Sequence, residues 1–186
     1  MIKRATDTGL LSQAFDHIFK TLDPFAPAAQ PDVPIRRVLY PTFNYHLDAN
    51  QYKAMIRALL DCGEQEFFIS IVEHELKYND PFTAGEHWIC ESSSYTEYTD
   101  LPLVLENALY STNGLWGILV SHESHALLAC HPSFWGVFQK HYPDWEQDQR
   151  RFVEYWQCNQ KVYGSDISWL QDFLDSLMPC GKGSSS

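Results

Sequence analysis

Residues 107–130 read Asn107-Ala108-Leu109-Tyr110, Ser111-Thr112-Asn113-Gly114, Leu115-Trp116-Gly117-Ile118-Leu119-Val120, Ser121-His122-Glu123-Ser124-His125 and Ala126-Leu127-Leu128-Ala129-Cys130. Apolar runs of strand length alternate with short polar turns, and the first turn carries Asn-Gly, the pair that most readily supplies the positive φ of a tight hairpin. Residues 107–110 end a strand or a short helix, while 115–120 and 126–130 are strands. A β-meander around residues 105–130 follows. Trp116, Ile118 and Val120 alternate with Leu115, Gly117 and Leu119. This period of two predicts one row packed on helices and the other against neighbouring strands.

Working outward, Phe67-Phe68-Ile69-Ser70-Ile71-Val72 is apolar at nearly every position and suits an interior strand. Residues 35–43 suit another strand, and Trp88-Ile89-Cys90 a short one. Asp48 is placed to cap a helix whose face is Tyr52, Met55, Ile56, Leu59 and Leu60, with Gly63 as its stop. Residues 10–22 repeat apolar side chains at three and four, predicting an amphipathic helix. Pro24, Pro27, Pro31 and Pro34 follow it and read as an extended linker, which leaves open whether that helix is an arm or a core member. Downstream, Pro132 opens a short helix with Phe134, Val137 and Phe138 inward. Asp144 caps a helix with Trp145, Phe152, Val153 and Trp156 inward, and Ser165 caps a last one with Ile167, Leu170, Leu174 and Leu177. The expected architecture is α+β: an antiparallel sheet with helices packed on one side and a helical C-terminal third. The expected organisation is an N-terminal helix and Pro-rich linker over 1–34, one α+β domain over 35–180, and a disordered tail over 181–186.

The chain has 186 residues, of which 45% are hydrophobic, and 11 Phe, 10 Tyr and 6 Trp supply enough apolar surface for one core without metal or disulfide staples. Its net charge of −11 repels phosphate backbones and anionic lipid, arguing against nucleic acid and membrane as partners. Residues 61–106 hold eleven of the carboxylates against the single base Lys77. Such a run serves solubility or docks a basic protein partner. No apolar stretch follows Met1-Ile2-Lys3-Arg4, so a cytoplasmic chain is expected. The cysteines, Cys62, Cys90, Cys130, Cys158 and Cys180, form no Cys-x-x-Cys and read as reduced, mostly buried thiols.

Three clusters invite a catalytic reading. His122-Glu123-Ser124-His125 offers two imidazoles and a carboxylate, but a zinc-protease motif needs one more intervening residue and a helix. Glu73-His74-Glu75 places neighbours on alternate sides of a strand, so the three cannot converge. Cys130-His131 are sequence neighbours, a poor geometry for activating a thiolate. No phosphate-binding or dinucleotide-binding glycine motif and no nucleophile elbow occurs. The expectation is a non-enzyme without cofactor or metal; the alternative is a small enzyme or metal-dependent hydrolase using His122, Glu123 and His125.

The run Glu106-Asn107-Ala108-Leu109-Tyr110, then residues 114–128 with Trp116-Gly117 on the first strand, then Phe134, resembles small bacterial immunity proteins of toxin–immunity loci. Over about 55 residues, a strand bearing Trp-Gly is followed by a short turn, a second apolar strand and a helix begun by Phe. The resemblance implies a cytoplasmic inhibitor that neutralises a cognate toxin by binding rather than catalysis. A toxin that cuts nucleic acid is basic, which suits an acidic inhibitor. A housekeeping adaptor for some other basic protein is the competing class. The expected partner-binding residues are Glu91, Tyr95, Glu97, Tyr98 and Asp100, in a polar loop whose rings would anchor an interface.

Overall fold

A computed structural model describes residues 1–25, 27–72, 82 and 85–178. Among these, thirteen elements follow in the order β1 (Ile2–Arg4), α1 (Thr8–Asp16), β2 (Ile35–Leu39), α2 (Ala49–Asp61), β3 (Glu66–Ile71), β4 (His87–Glu91), α3 (Tyr95–Thr99), β5 (Asn107–Ser111), β6 (Trp116–Val120), β7 (Ala126–Cys130), α4 (Pro132–His141), α5 (Trp145–Tyr163) and α6 (Ser168–Leu177). The Glu73-His74-Glu75 cluster, Lys77, Asp80, Cys180 and residues 181–186 lie outside the described residues.

The strands form one antiparallel sheet in the order β1-β4-β3-β5-β6-β7-β2. The β5–β6–β7 meander is its centre, with Leu109 opposite Ile118 and Ile118 opposite Leu128. Gly114 supplies the positive φ, +76°, that the first turn needs. Residues 107–110 thus belong to a strand. β3 is interior, between β4 and β5, as its apolar run requires. The fold is α+β with a helical C-terminal third.

Helices cover both faces of this sheet, not one side. Trp116, Ile118, Val120, Leu109 and Ile69 pack with Tyr52, Met55 and Leu59 of α2, Tyr98 of α3 and Phe134 and Phe138 of α4. The opposite row, including Phe68, Tyr110, Leu119 and Leu127, packs with Leu11 and Phe15 of α1, Phe152 and Trp156 of α5 and Leu170 and Phe173 of α6. The cause is written into the strands: β5, β6 and β7 are buried at every position, so an uncovered face would put apolar side chains in water. The second row of β6 therefore packs on helices as well.

α2 starts where local chemistry allows. Asp48 accepts hydrogen bonds from Asn50 and Gln51 N–H, and the Gln51 amide oxygen accepts from Asp48 N–H, a reciprocal capping box. Gly63, at φ +80°, follows its end. α6 begins at Ser168 rather than after Ser165, with Asp166 accepting the Ser168 N–H at 2.9 Å.

The described residues among the first 34 pack into the same body. β1 extends the sheet beyond β4, and the proline-rich stretch buries Ala28, Ala29 and Val33. α1 ends at Asp16, and the following Ile18 and Phe19 lie fully buried on β6. They reach it because Gly117 has no Cβ, which would collide with the Phe19 ring. The described residues between Pro24 and Pro34 are thus irregular in backbone, yet Ala28, Ala29 and Val33 among them join the core.

Candidate partner-binding surface

The expected binding segment is more ordered than its composition suggests. Ser94 Oγ accepts the Glu97 N–H at 3.2 Å and Glu97 Oε2 accepts the Ser94 N–H at 2.8 Å, so a capping box converts residues 95–99 into the short helix α3. The Ser94 N–H and the Ser94 hydroxyl both donate to the Glu97 carboxylate and hold it below its usual range. The pattern Ser-x-x-Glu was legible in the sequence and is the signal a loop reading passes over.

α3 decides which tyrosine is available. Tyr98 is fully buried, stacks on Tyr52 at 4.4 Å with planes 7° apart, and accepts the Leu47 N–H at 3.0 Å. It is a core residue and cannot anchor a partner, since its ring is enclosed among Tyr52, His46 and Tyr95. Tyr95, one turn earlier, is half-buried and donates its hydroxyl to Leu47 O at 3.1 Å.

Glu91, Glu97 and Asp100 are exposed beside the β1–β4 edge. The folding of β1 onto this edge changes its charge. Lys3 Nζ lies 2.9 Å from Glu91 Oε1, Arg4 lies 2.8 Å from Glu86 Oε1, and the terminal ammonium donates to Glu91 O at 2.8 Å. Lys3 lowers the Glu91 carboxyl accordingly. Further along the acidic run, Asp61 pairs with His141 and Glu106 with His122. Glu64 is buried beside Ser111 and the Trp116 indole, with burial pushing its carboxyl up. Glu66 and Asp100 remain exposed with neither a hydrogen bond nor an ion pair from their carboxylates among the described residues. Glu66 stands opposite Glu91 in the β3–β4 register. Two clefts flank this edge, one of about 420 Å³ lined by Met1, Arg4, Trp88, Glu97 and Asp100, the other of about 820 Å³ lined by Glu64, Glu66 and Glu91.

The histidine turn splits its members. His122 is exposed, with Nδ1 2.6 Å from Glu106 Oε1 and Nε2 3.4 Å from Glu123 Oε1. His125 is fully buried among Phe25, Phe152 and Phe173, and its ring faces the backbone of Pro24 and Glu123 without closing a well-formed hydrogen bond. Burial pushes its imidazole down to about 4. One imidazole faces solvent and the other the core, and no group of three metal-capable side chains forms among the described residues. Cys62, Cys90, Cys130 and Cys158 are free thiols; Cys90 and Cys130 are buried, while Cys158 on α5 is exposed.

A second feature escaped the sequence reading. Trp156 of α5 and Trp169 of α6 meet edge to face, centroids 5.1 Å apart and planes at 87°, and Phe25 meets Trp169 at 5.0 Å and 86°. With His122, Glu123 and Asp166 these rings line an open cleft of about 330 Å³. Its members are far apart in the chain, so no spacing announces it.

The chain matches no family model, no curated protein and no solved structure. Among the described residues no helix is long and apolar enough to cross a membrane.

Proposed function

We propose that this chain is a non-catalytic binding protein that docks a basic protein partner, and that the partner is a cognate toxin neutralised by direct binding in the cytoplasm. The observation that carries the docking reading is the set of exposed carboxylates around the β1–β4 edge, of which Glu66 and Asp100 have no partner within the described residues. An unpaired surface carboxylate gives up only water when it meets Lys or Arg, and several together steer the encounter. Lys3 and Arg4 reduce the field at this edge, so contacts to Glu91 and Glu86 have to displace or share those pairs. The immunity assignment rests on the likeness of the Trp116-Gly117 strand and its flanks to such proteins.

The test is co-purification from the native host, identification of the bound protein, and binding kinetics from low to moderate salt. Glu66→Lys with Asp100→Lys leaves the internal pairs intact and is expected to slow association and flatten its salt dependence. Tyr95→Ala is expected to speed dissociation instead. Association insensitive to both salt and the reversals would overturn the docking reading. A captured basic protein without toxic activity would overturn the immunity assignment and leave an adaptor.

A further inference from the structure

The protein contains two tryptophan corners of the same shape, one filled and one open. In the first, Trp135 and Trp145 meet at 4.9 Å and 81°, and the Arg37 guanidinium carbon sits 5.1 Å and 5.0 Å from the two ring centroids. Glu146 stands near enough to favour the cation electrostatically. In the second, Trp156 and Trp169 meet at 5.1 Å and 87°. Among the described residues no Lys or Arg lies over either ring.

The open corner has the other parts of the filled one. Asp166 is exposed beside it and its carboxylate is fixed by the Ser168 N–H at 2.9 Å. The Trp169 indole is oriented by donating to Asp166 O at 3.2 Å. Phe25 adds a third ring, perpendicular to Trp169, and the rim carries Glu123, whose Oε1 lies 3.4 Å from Nε2 of the neighbouring His122. Ring faces attract a cation through their quadrupole, and the attraction grows as the site loses water. A planar guanidinium can lie flat on one ring while meeting the edge-on partner, and still offer two N–H groups to a carboxylate. A compact, strongly hydrated ammonium matches this less well.

We propose that the Trp156–Trp169 corner, with Phe25, Asp166 and Glu123, receives an arginine side chain presented by the basic partner. The inference rests on the proposed docking function only for the source of the arginine. The corner itself is tested without any partner.

The probe is N-acetyl-arginine amide, titrated into the full chain while the tryptophan indole N–H resonances are followed. N-acetyl-lysine amide and the uncharged, similarly shaped N-acetyl-citrulline amide are the comparisons. Saturable shifts of the Trp156 and Trp169 signals are expected with the arginine probe, smaller ones with lysine and none with citrulline. Trp169→Leu should weaken the arginine probe about tenfold. Asp166→Asn, an exposed change that keeps the cap to Ser168, should weaken it about threefold without altering the melting temperature. No saturable shift, an equal response to citrulline, or unchanged affinity in Asp166→Asn would overturn the proposal. Any of these would leave the salt and charge-reversal results at Glu66 and Asp100 standing, so the corner and the docking reading fail separately.

Discussion

Tyr142 donates its hydroxyl to Asp148 Oδ2 over 2.8 Å inside the protein, joining the end of α4 to the first turns of α5. Asp148 also accepts the Tyr40 N–H at 3.1 Å and lies 3.5 Å from Gln51 Nε2, so one carboxylate ties together β2, α2 and α5. It is 1% exposed, and burial outweighs its hydrogen bonds, pushing its carboxyl up from 3.8 to about 6. The native state therefore binds a proton that the unfolded chain releases between those values. Stability from this group is greatest in acid and falls as pH rises through that window. Asp148→Asn should gain on the parent as pH rises from 4.5 to 7. Urea unfolding at the two pH values measures this; a difference independent of pH would show that Asp148 does not titrate in the window.

His125 works in the opposite direction. Its imidazole is neutral in the core, with its pKa lowered from 6.5 to about 4 by desolvation. The unfolded chain takes up a proton first, so the native state loses stability as pH falls below about 6.5. His125→Phe keeps a ring among Phe25, Phe152 and Phe173 and should compare better with the parent at pH 5 than at pH 7. The same unfolding series reads it, and equal differences at both values would count against a neutral buried imidazole.

The packing of the N-terminal segment on β6 is tested by a single methyl group. A Cβ at residue 117 would collide with the Phe19 ring and press on Ile18. Gly117→Ala should cost about 1–3 kcal/mol, since the surrounding core has to shift to admit it. In a Phe19→Ala background, itself destabilised by loss of a buried ring, the added methyl should cost less than in the parent, because the colliding ring is gone. If Gly117→Ala melts like the parent, Phe19 does not sit on β6.

Tyr98 provides the sharpest contrast with an interface role. Tyr98→Phe keeps the ring against Tyr52 but strands the Leu47 N–H, an expected loss of about 1–3 kcal/mol of stability. Its effect should appear in thermal unfolding and not in the dissociation rate of a folded complex, where Tyr95→Ala acts. A faster dissociation from Tyr98→Phe with unchanged melting would return Tyr98 to the surface.

The sequence by itself determined the local pieces. The meander was legible because alternation and the Asn113-Gly114 turn are set within a few residues, where backbone sterics choose the conformation. The start and stop of α2 were legible for the same reason, through Asp48 and Gly63. Tertiary structure alone decided what meets across the chain. It put Ile2–Arg4 on the sheet edge and so brought Lys3 and Arg4 to carboxylates more than eighty residues away. It placed one helix set on each face, sent Tyr98 inward and Tyr95 outward, and separated His122 from His125. It also crossed Trp156 with Trp169 at a right angle. Period and capping chemistry act between near neighbours, whereas these contacts follow from burying apolar area on both sides of one sheet. Many distant residues contribute to that burial at once, and no short window of sequence contains it.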